Sequence, residues 1–338
     1  SKENSINSFL IFIKNNMPKL TPFPNAEEIV FKPKYVERYS TLTDWETYKK
    51  FTLSFLPKSI RINTLKKPVE EIKKRLSTAW VLEQIPWCRE GFWIEHKQGR
   101  LDVGNTMEHN LGYYYVQEGA SMIPPVVLDP QPGERVLDMC AAPGSKASQI
   151  AQMMQNNGVL IANDVSGMRL AALGINLQRL GVLNCVITQM KGERFKNMEF
   201  DRVLLDAPCS GSGTIRKSVK TLTIWNPGTI KSIAGQQKHL IQTAFNLIKK
   251  GGVLVYSTCS VEPEENEGVV TFFLKNNPDA VLDNIDLPLK RTPCLTEFEG
   301  EVYHPDIGKC LRLWPQDNDT EGFFVAKILK KSVTIFSS

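Results

Sequence analysis

The sequence has four histidines in 338 residues, at positions 96, 109, 239 and 304. Scattered in this way they suggest no metal cluster, and no metal is expected. Its seven cysteines are an odd number and include no C-x-x-C pair. That argues against a zinc site and against a disulfide framework. No apolar run reaches the roughly 18 residues of a membrane helix, so a membrane partner is not expected. Residues 1–16 hold a short apolar patch at 9–13 but no small-residue cleavage site. They do not read as a signal peptide, and a cytoplasmic protein is the expectation. Internal repeats and low-complexity tracts are also missing. Wholesale disorder is excluded by composition, 42% hydrophobic and 23% charged, which is ordinary for a globular chain. The length suggests two domains, or one large domain with an extension.

Charge is unevenly placed. The formal net charge is +5, yet residues 1–80 carry 15 Lys+Arg against 8 Asp+Glu, and the remainder is slightly acidic. A polyanion partner is one reading of the basic part, and a solvated helix surface is the other.

Residues 1–57 read as a mostly helical segment interrupted by prolines at 18, 22, 24 and 33. From 58 to 110 the pattern suggests a small β-α-β-β unit: a strand at 59–65, a helix at 68–76, then strands at 80–82 and 92–94. From 111 to 330 the chain reads as one domain, with a tail at 331–338. Strand candidates there are 135–139, 159–163, 185–188, 202–206 and 253–257. All are short and rich in Val, Leu and Ile, as strands buried on both faces are. Helical stretches at 145–156, 166–180, 229–249 and 262–276 separate them, the third ending at Gly251-Gly252 as a stop. This alternation predicts a doubly wound, mostly parallel α/β sheet. Segments 310–314 and 323–328 could add an antiparallel hairpin at one edge.

Ligands of such sheets bind beyond the carboxyl ends of the strands. The first strand runs into Cys140-Ala141-Ala142-Pro143-Gly144-Ser145-Lys146, a loop of small residues that opens a helix. It is neither a G-x-G-x-x-G fingerprint nor a Walker A loop, since Met139 stands where the first glycine would fall. The second strand ends at Asp164, placed to accept both hydroxyls of a ribose or to cap the next helix. Loop plus acid suggests an adenosine-type ligand without a phosphate cradle, which S-adenosylmethionine fits. Past the fourth and fifth strands come Asp206-Ala207-Pro208-Cys209-Ser210 and Thr258-Cys259-Ser260. Two cysteines on the ligand side, one beside an acid, are hard to read as packing residues. Cys88, Cys185, Cys294 and Cys310 do read that way, and the aromatic patch Tyr113-Tyr114-Tyr115 reads as core.

These motifs carry a resemblance. DMCAAPGSK at 138–146, DAPCS at 206–210, TCS at 258–260 and the following Glu262-Pro263-Glu264-Glu265-Asn266-Glu267 are similar to those of the RNA cytosine-5 methyltransferases of the Sun-domain and nucleolar-protein group. Further matches are RINT at 61–64, YVQEGAS at 115–121, RLWP at 312–315 and GFFVAK at 322–327, so the resemblance covers about residues 58–330. It implies a Rossmann-like fold bearing S-adenosylmethionine and an RNA substrate. Carbon 5 of cytosine is a poor nucleophile, so a thiolate first adds to carbon 6. The resemblance puts that nucleophile at Cys259 and the release step at Cys209, with Asp206 on ring nitrogen 3 and Lys146 orienting Asp206. DNA cytosine-5 methyltransferases instead use the Pro-Cys cysteine, here Cys209. This chain has the second cysteine and lacks their Glu-Asn-Val element, which favours Cys259.

By the same resemblance Cys140 to Lys146, Asp164, Arg169 and Asp206 hold the cofactor. Relatives usually carry an acid after the third strand, where this chain has Lys191, so weaker cofactor binding is expected. Arg61 and Asn63 match a family motif and Arg216 and Lys217 follow the Cys209 loop. All four are expected to contact RNA phosphates. Transfer RNA is favoured over ribosomal RNA, and a monomer is expected. The alternatives are a ribosomal RNA enzyme and a catalytically weak RNA-binding or assembly factor.

Overall fold

The structure is a computed structural model describing residues 20–332. The expectations for residues 1–16 therefore lie outside the described residues. Fourteen strands are present among them: β1 Ser59–Ile62, β2 Trp80–Gln84, β3 Gly91–His96, β4 Tyr114–Val116, β5 Arg135–Asp138, β6 Val159–Asp164, β7 Cys185–Gln189, β8 Phe200–Asp206, β9 Ile248–Thr258, β10 Ala280–Asp283, β11 Glu297–Phe298, β12 Glu301–Val302, β13 Leu311–Leu313 and β14 Phe323–Lys330.

The large sheet has the order β10-β14-β9-β8-β5-β6-β7, with β13 paired to β14. Neighbours from β7 to β9 run parallel, whereas β14 is antiparallel to β9 and β10 to β14. The chain winds one way from β5 to β7 and the other way through β8 and β9. The direction reverses between β5 and β8, which creates the crevice where such sheets bind ligands. Alternation along the strands supplies two cores, one per face. Leu137, Leu205 and Tyr256 join the layer of helices Pro227–Asn246 and Glu267–Asn276. Val136, Leu204 and Val255 join the layer holding helices Ser145–Met153 and Gly167–Leu180.

Several boundaries differ from the sequence-based expectation. Helix Pro227–Asn246 ends before Ile248–Thr258 begins, so Gly251-Gly252 lies inside β9 and does not cap the helix. Gly252 sits there because a Cβ would come 2.8 Å from the Asp201 carbonyl. Residues 262–266 form a turn, and the helix expected from 262 starts at Glu267. The 310–328 hairpin forms, but β10 lies outside it and takes the edge. At the other edge, Val186 and Ile187 of β7 are exposed, so this strand is not buried on both faces.

The small sheet, order β2-β3-β1-β4, is wholly antiparallel. It includes Tyr114–Val116, beyond the boundary at 110 expected from sequence. Ile60 and Ile62 point into its own core with Ile72, Leu76 and Phe92. Arg61, between them, points the other way onto helix Ser145–Met153, where it donates to Ser148 Oγ at 2.7 Å. Of the expected N-terminal helical segment, Pro33–Leu42 and Trp45–Thr52 are the α-helices among residues 20–57. They pack Tyr35, Tyr39 and Tyr48 against Trp225, Val261 and Trp314.

Candidate active site

The crevice collects the ends of four strands. Cys209 follows β8 and Cys259 follows β9, which lie side by side, and the two sulfurs are 3.2 Å apart. Asp206 ends β8. Its Oδ2 accepts from Lys146 Nζ at 2.8 Å and its Oδ1 from the Ser257 hydroxyl at 2.8 Å. Lys146, in the first turn after the small-residue loop, also donates to Ser121 Oγ at 3.2 Å and lies 5.6 Å from the centre of the Phe323 ring. Burial would lower the Lys146 ammonium, but the charge of Asp206 outweighs it and holds the group above its ordinary value. The Cys209 thiol is raised well above its usual value, by its bond to Cys259 first, then by burial and by the nearby acids. Two sulfurs thus share one site with a cation beside them, and one of the two holds its proton more tightly than a free thiol, an arrangement suited to one nucleophile and one proton carrier.

The other half of the crevice is the loop after β5. Ala141 N–H donates to the Asn163 carbonyl at 2.7 Å and Gly144 N–H to the Ala141 carbonyl at 2.8 Å. Gly144 has φ 106°, and a Cβ there would lie 2.9 Å from Leu173 Cδ1. Only glycine fits this turn into helix Ser145–Met153 without strain. Asp164, buried, accepts from Ala142 N–H at 3.3 Å and from Ser166 N–H at 3.0 Å, and it pairs with Arg169 at 3.2 Å. Arg169 also reaches the Ala142 carbonyl. The Cys140 thiol is pushed up, chiefly by burial and then by Asp138. This marks Cys140 as an inert lining group. Pro143 is exposed, and its carbonyl accepts from Asn176 at 2.9 Å. Lys191 is exposed just past β7.

Asp138 was not among the site residues expected from sequence. It ends β5 at the reversal of the sheet, and its carboxylate is fully buried without a hydrogen-bond partner. The Cys140 amide is close enough to favour its charged form but makes no well-aligned bond. Burial first, and the charge of Asp206 second, push the carboxyl up to about 7. The signal was available, as the acid directly before the loop. An orphaned buried acid beside a glycine-turned loop, with a second acid at the next strand end, fits a ligand carrying an ammonium and a ribose.

Three of the four expected RNA contacts are not at the surface. Arg61 is fully buried and spent on Gln117, Gln152, Ser148 and the Ser145 carbonyl. Asn63 donates to the Gly112 and Leu180 carbonyls, each at 2.8 Å. Arg216 pairs with Asp319 at 2.7 Å and donates to the Ser54, Phe55 and Thr320 carbonyls. Each guanidinium or amide stitches segments together, and none is free for phosphate. Lys217 alone is exposed.

A parallel sheet that reverses direction, with a small-residue loop at the reversal, is the Rossmann-like arrangement of nucleotide-type cofactor sites. Comparison with known proteins narrows it. The family model described as 16S rRNA methyltransferase RsmB/F matches residues 125–329, and that for the N-terminal domain of 16S rRNA methyltransferase RsmF matches residues 31–119. The chain belongs to the RsmB/F family of RNA cytosine-5 methyltransferases. It is 49% identical to a tRNA (cytosine(49)-C(5))-methyltransferase of Pyrococcus abyssi over 88% of this chain and 96% of that one. It is 42% identical to ribosomal RNA small subunit methyltransferase F of Vibrio parahaemolyticus over 81% of this chain, but spans only 57% of that relative. A crystal structure of a methyltransferase homolog protein from Pyrococcus horikoshii superposes with a TM-score of 0.77 at 38% identity, over 89% of this chain and all of the other. Among the described residues no helix is long and apolar enough to cross a membrane, and no cluster of metal ligands occurs.

Proposed function

We propose that this protein transfers a methyl group from S-adenosylmethionine to carbon 5 of a cytosine in transfer RNA through a covalent Cys259–cytosine adduct. The observation that carries the chemistry is the meeting of Cys209, Cys259, Asp206 and Lys146 at three adjacent strand ends. The cofactor supplies the methyl group. Asp138 would hold its ammonium and Asp164 its ribose hydroxyls, and the Ala141–Gly144 turn would let it approach the backbone. Cys259 adds to carbon 6 of an unstacked cytosine. Asp206, held by Lys146 and Ser257, bonds ring nitrogen 3 and stabilises the charge that develops there. Cys209, deprotonated for this step, then takes the carbon-5 proton, and the electron pair of that C–H bond expels Cys259 from carbon 6 as thiolate and restores the ring. Transfer RNA is supported over ribosomal RNA by the 49% identity that runs across nearly the whole of a transfer RNA enzyme.

With Arg61, Asn63 and Arg216 committed inside, RNA phosphates are left to Lys217 and to exposed basic residues of the small-sheet unit, Lys58, Lys74, Arg75, Arg89 and Lys97. That contact makes binding fall steeply with salt.

The test incubates total transfer RNA and total ribosomal RNA with labelled S-adenosylmethionine and wild type, Cys259→Ala or Cys209→Ala, run on a denaturing protein gel. Expected are labelled transfer RNA with wild type, none with Cys259→Ala, and a denaturation-resistant protein–RNA band with Cys209→Ala. The band in Cys259→Ala instead would reverse the two roles. Label on ribosomal RNA alone would overturn the substrate.

A further inference from the structure

Glu265 is a fully buried carboxylate with no part in the methyl-transfer steps. It accepts four hydrogen bonds. Ser210 donates twice, through its N–H at 2.9 Å and through its hydroxyl, Ser260 donates its hydroxyl at 2.8 Å, and Gln237 donates its amide at 3.0 Å. Ser210 follows Cys209 and Ser260 follows Cys259. Gln237 also holds the Pro208 carbonyl at 2.9 Å, just before Cys209. The backbone of Glu265 is itself anchored, because the Tyr256 hydroxyl donates to its main-chain carbonyl at 2.6 Å. One side chain therefore ties the loops of both cysteines to one point and to helix Pro227–Asn246.

We propose that Glu265 is the positioning residue for both cysteines, setting the gap between their sulfurs through Ser210 and Ser260. Paired strands alone do not fix that gap, because each cysteine lies past the last residue of its strand. The same carboxylate is one of the charges that keep Cys209 protonated, whereas Lys146 stands on the Asp206 side of the pair. The inference rests on the reading that both cysteines serve one base.

The test compares wild type, Glu265→Gln, Glu265→Ala and the double variant Ser210→Ala/Ser260→Ala. The first readout needs no RNA: diamide takes two electrons and two protons as the two thiols join, and the rate of Cys209–Cys259 disulfide formation reports their juxtaposition. Cys209→Ala sets the background from other cysteines. Glu265→Ala slows this rate on the order of tenfold, since misplacement by an ångström costs up to about a hundredfold. Glu265→Gln, which keeps the hydrogen bonds but removes the charge beside Cys209, cross-links at the wild-type rate or faster. Its NH₂ can face the two serine hydroxyls, which also accept, and its oxygen can face Ser210 N–H and Gln237. The second readout is methylation. Glu265→Ala lowers kcat with the KM for S-adenosylmethionine unchanged, Glu265→Gln restores it, and the alkaline rise in the Glu265→Gln profile moves to lower pH as Cys209 loses its neighbouring charge. If Glu265→Ala does not fold, the serine double variant carries the same expectation. Cross-linking at the wild-type rate in a folded Glu265→Ala or serine variant overturns the proposal. Wild type that cross-links fast yet labels no RNA means that the RNA reading has failed and leaves the cross-linking result to decide this one.

Discussion

The two halves of the crevice are built differently. On the cysteine side both carboxylates are answered by side chains of the protein. Asp206 has Lys146 and Ser257, and Glu265 has Ser210, Ser260 and Gln237. On the cofactor side Asp138 is buried with no partner, and the chain is bent at a residue only glycine tolerates. A buried polar group without a partner costs free energy that the rest of the fold must offset. The carboxylates of the cysteine half are thus satisfied by the protein, while the cofactor half keeps a carboxyl for a ligand to answer. The contrast fits a catalyst whose reactive groups must be preorganised before substrate arrives.

The comparison can be broken at either side. The largest effect is expected from Lys146→Met, which strips the cation from Asp206 and leaves two acids, 138 and 206, facing each other. Single-turnover methylation falls by about a hundredfold or more while circular dichroism shows an intact fold. Activity within a few-fold of wild type would mean that Lys146 does not govern Asp206.

Next is Asp138→Asn. An acid raised to about 7 in the fold binds its proton more tightly there than in the unfolded chain. Its ionisation therefore destabilises the fold progressively from about pH 4 up to about pH 7, and by a constant amount above, at ~1.4 kcal/mol for each pH step of one within that window. Thermal unfolding of wild type should weaken over that window relative to Asp138→Asn, making the variant the more stable at pH 7.5. Calorimetry should show it binding S-adenosylmethionine more weakly. A variant that gains stability and keeps affinity would remove Asp138 from the cofactor. The smallest effect is Lys191→Asp, for which calorimetry should read S-adenosylmethionine bound a few-fold more tightly. No gain would show that the position past β7 does not touch the adenosine.

Much of this was legible in the sequence because strand ends were. Short runs of Val, Leu and Ile marked β5 to β9, and whatever followed them had to lie in the crevice. Cys209, Cys259, Asp206 and the Cys140–Lys146 loop could be found that way. Arg61 and Arg216 could not be placed. An arginine between two isoleucines reads as the solvent side of a strand, and nothing local says that a second domain covers that side. The exposure of β7 was hidden likewise, since Val186 and Ile187 match a buried strand in composition and only sheet order makes it an edge. Gly251-Gly252 misled because a helix stop and a close approach to Asp201 use the same residue. The role of Glu265 was invisible for another reason. It depends on two serines 50 residues apart that meet only when β8 and β9 pair.

Tyr39 and Trp225 donate to Glu262, and Arg38 pairs with it at 2.9 Å. Glu262 lies three residues past Cys259, and Arg38 precedes it by 224 positions. On the ribosome, the helix carrying Arg38 and Tyr39 emerges long before the loop it will grip. Until then its aromatic face meets Trp45 and Tyr48 but lacks Trp225, Val261 and Trp314, which are still unmade. The turn beside Cys259 therefore gains its full set of contacts only once the chain has passed Arg312 and Trp314.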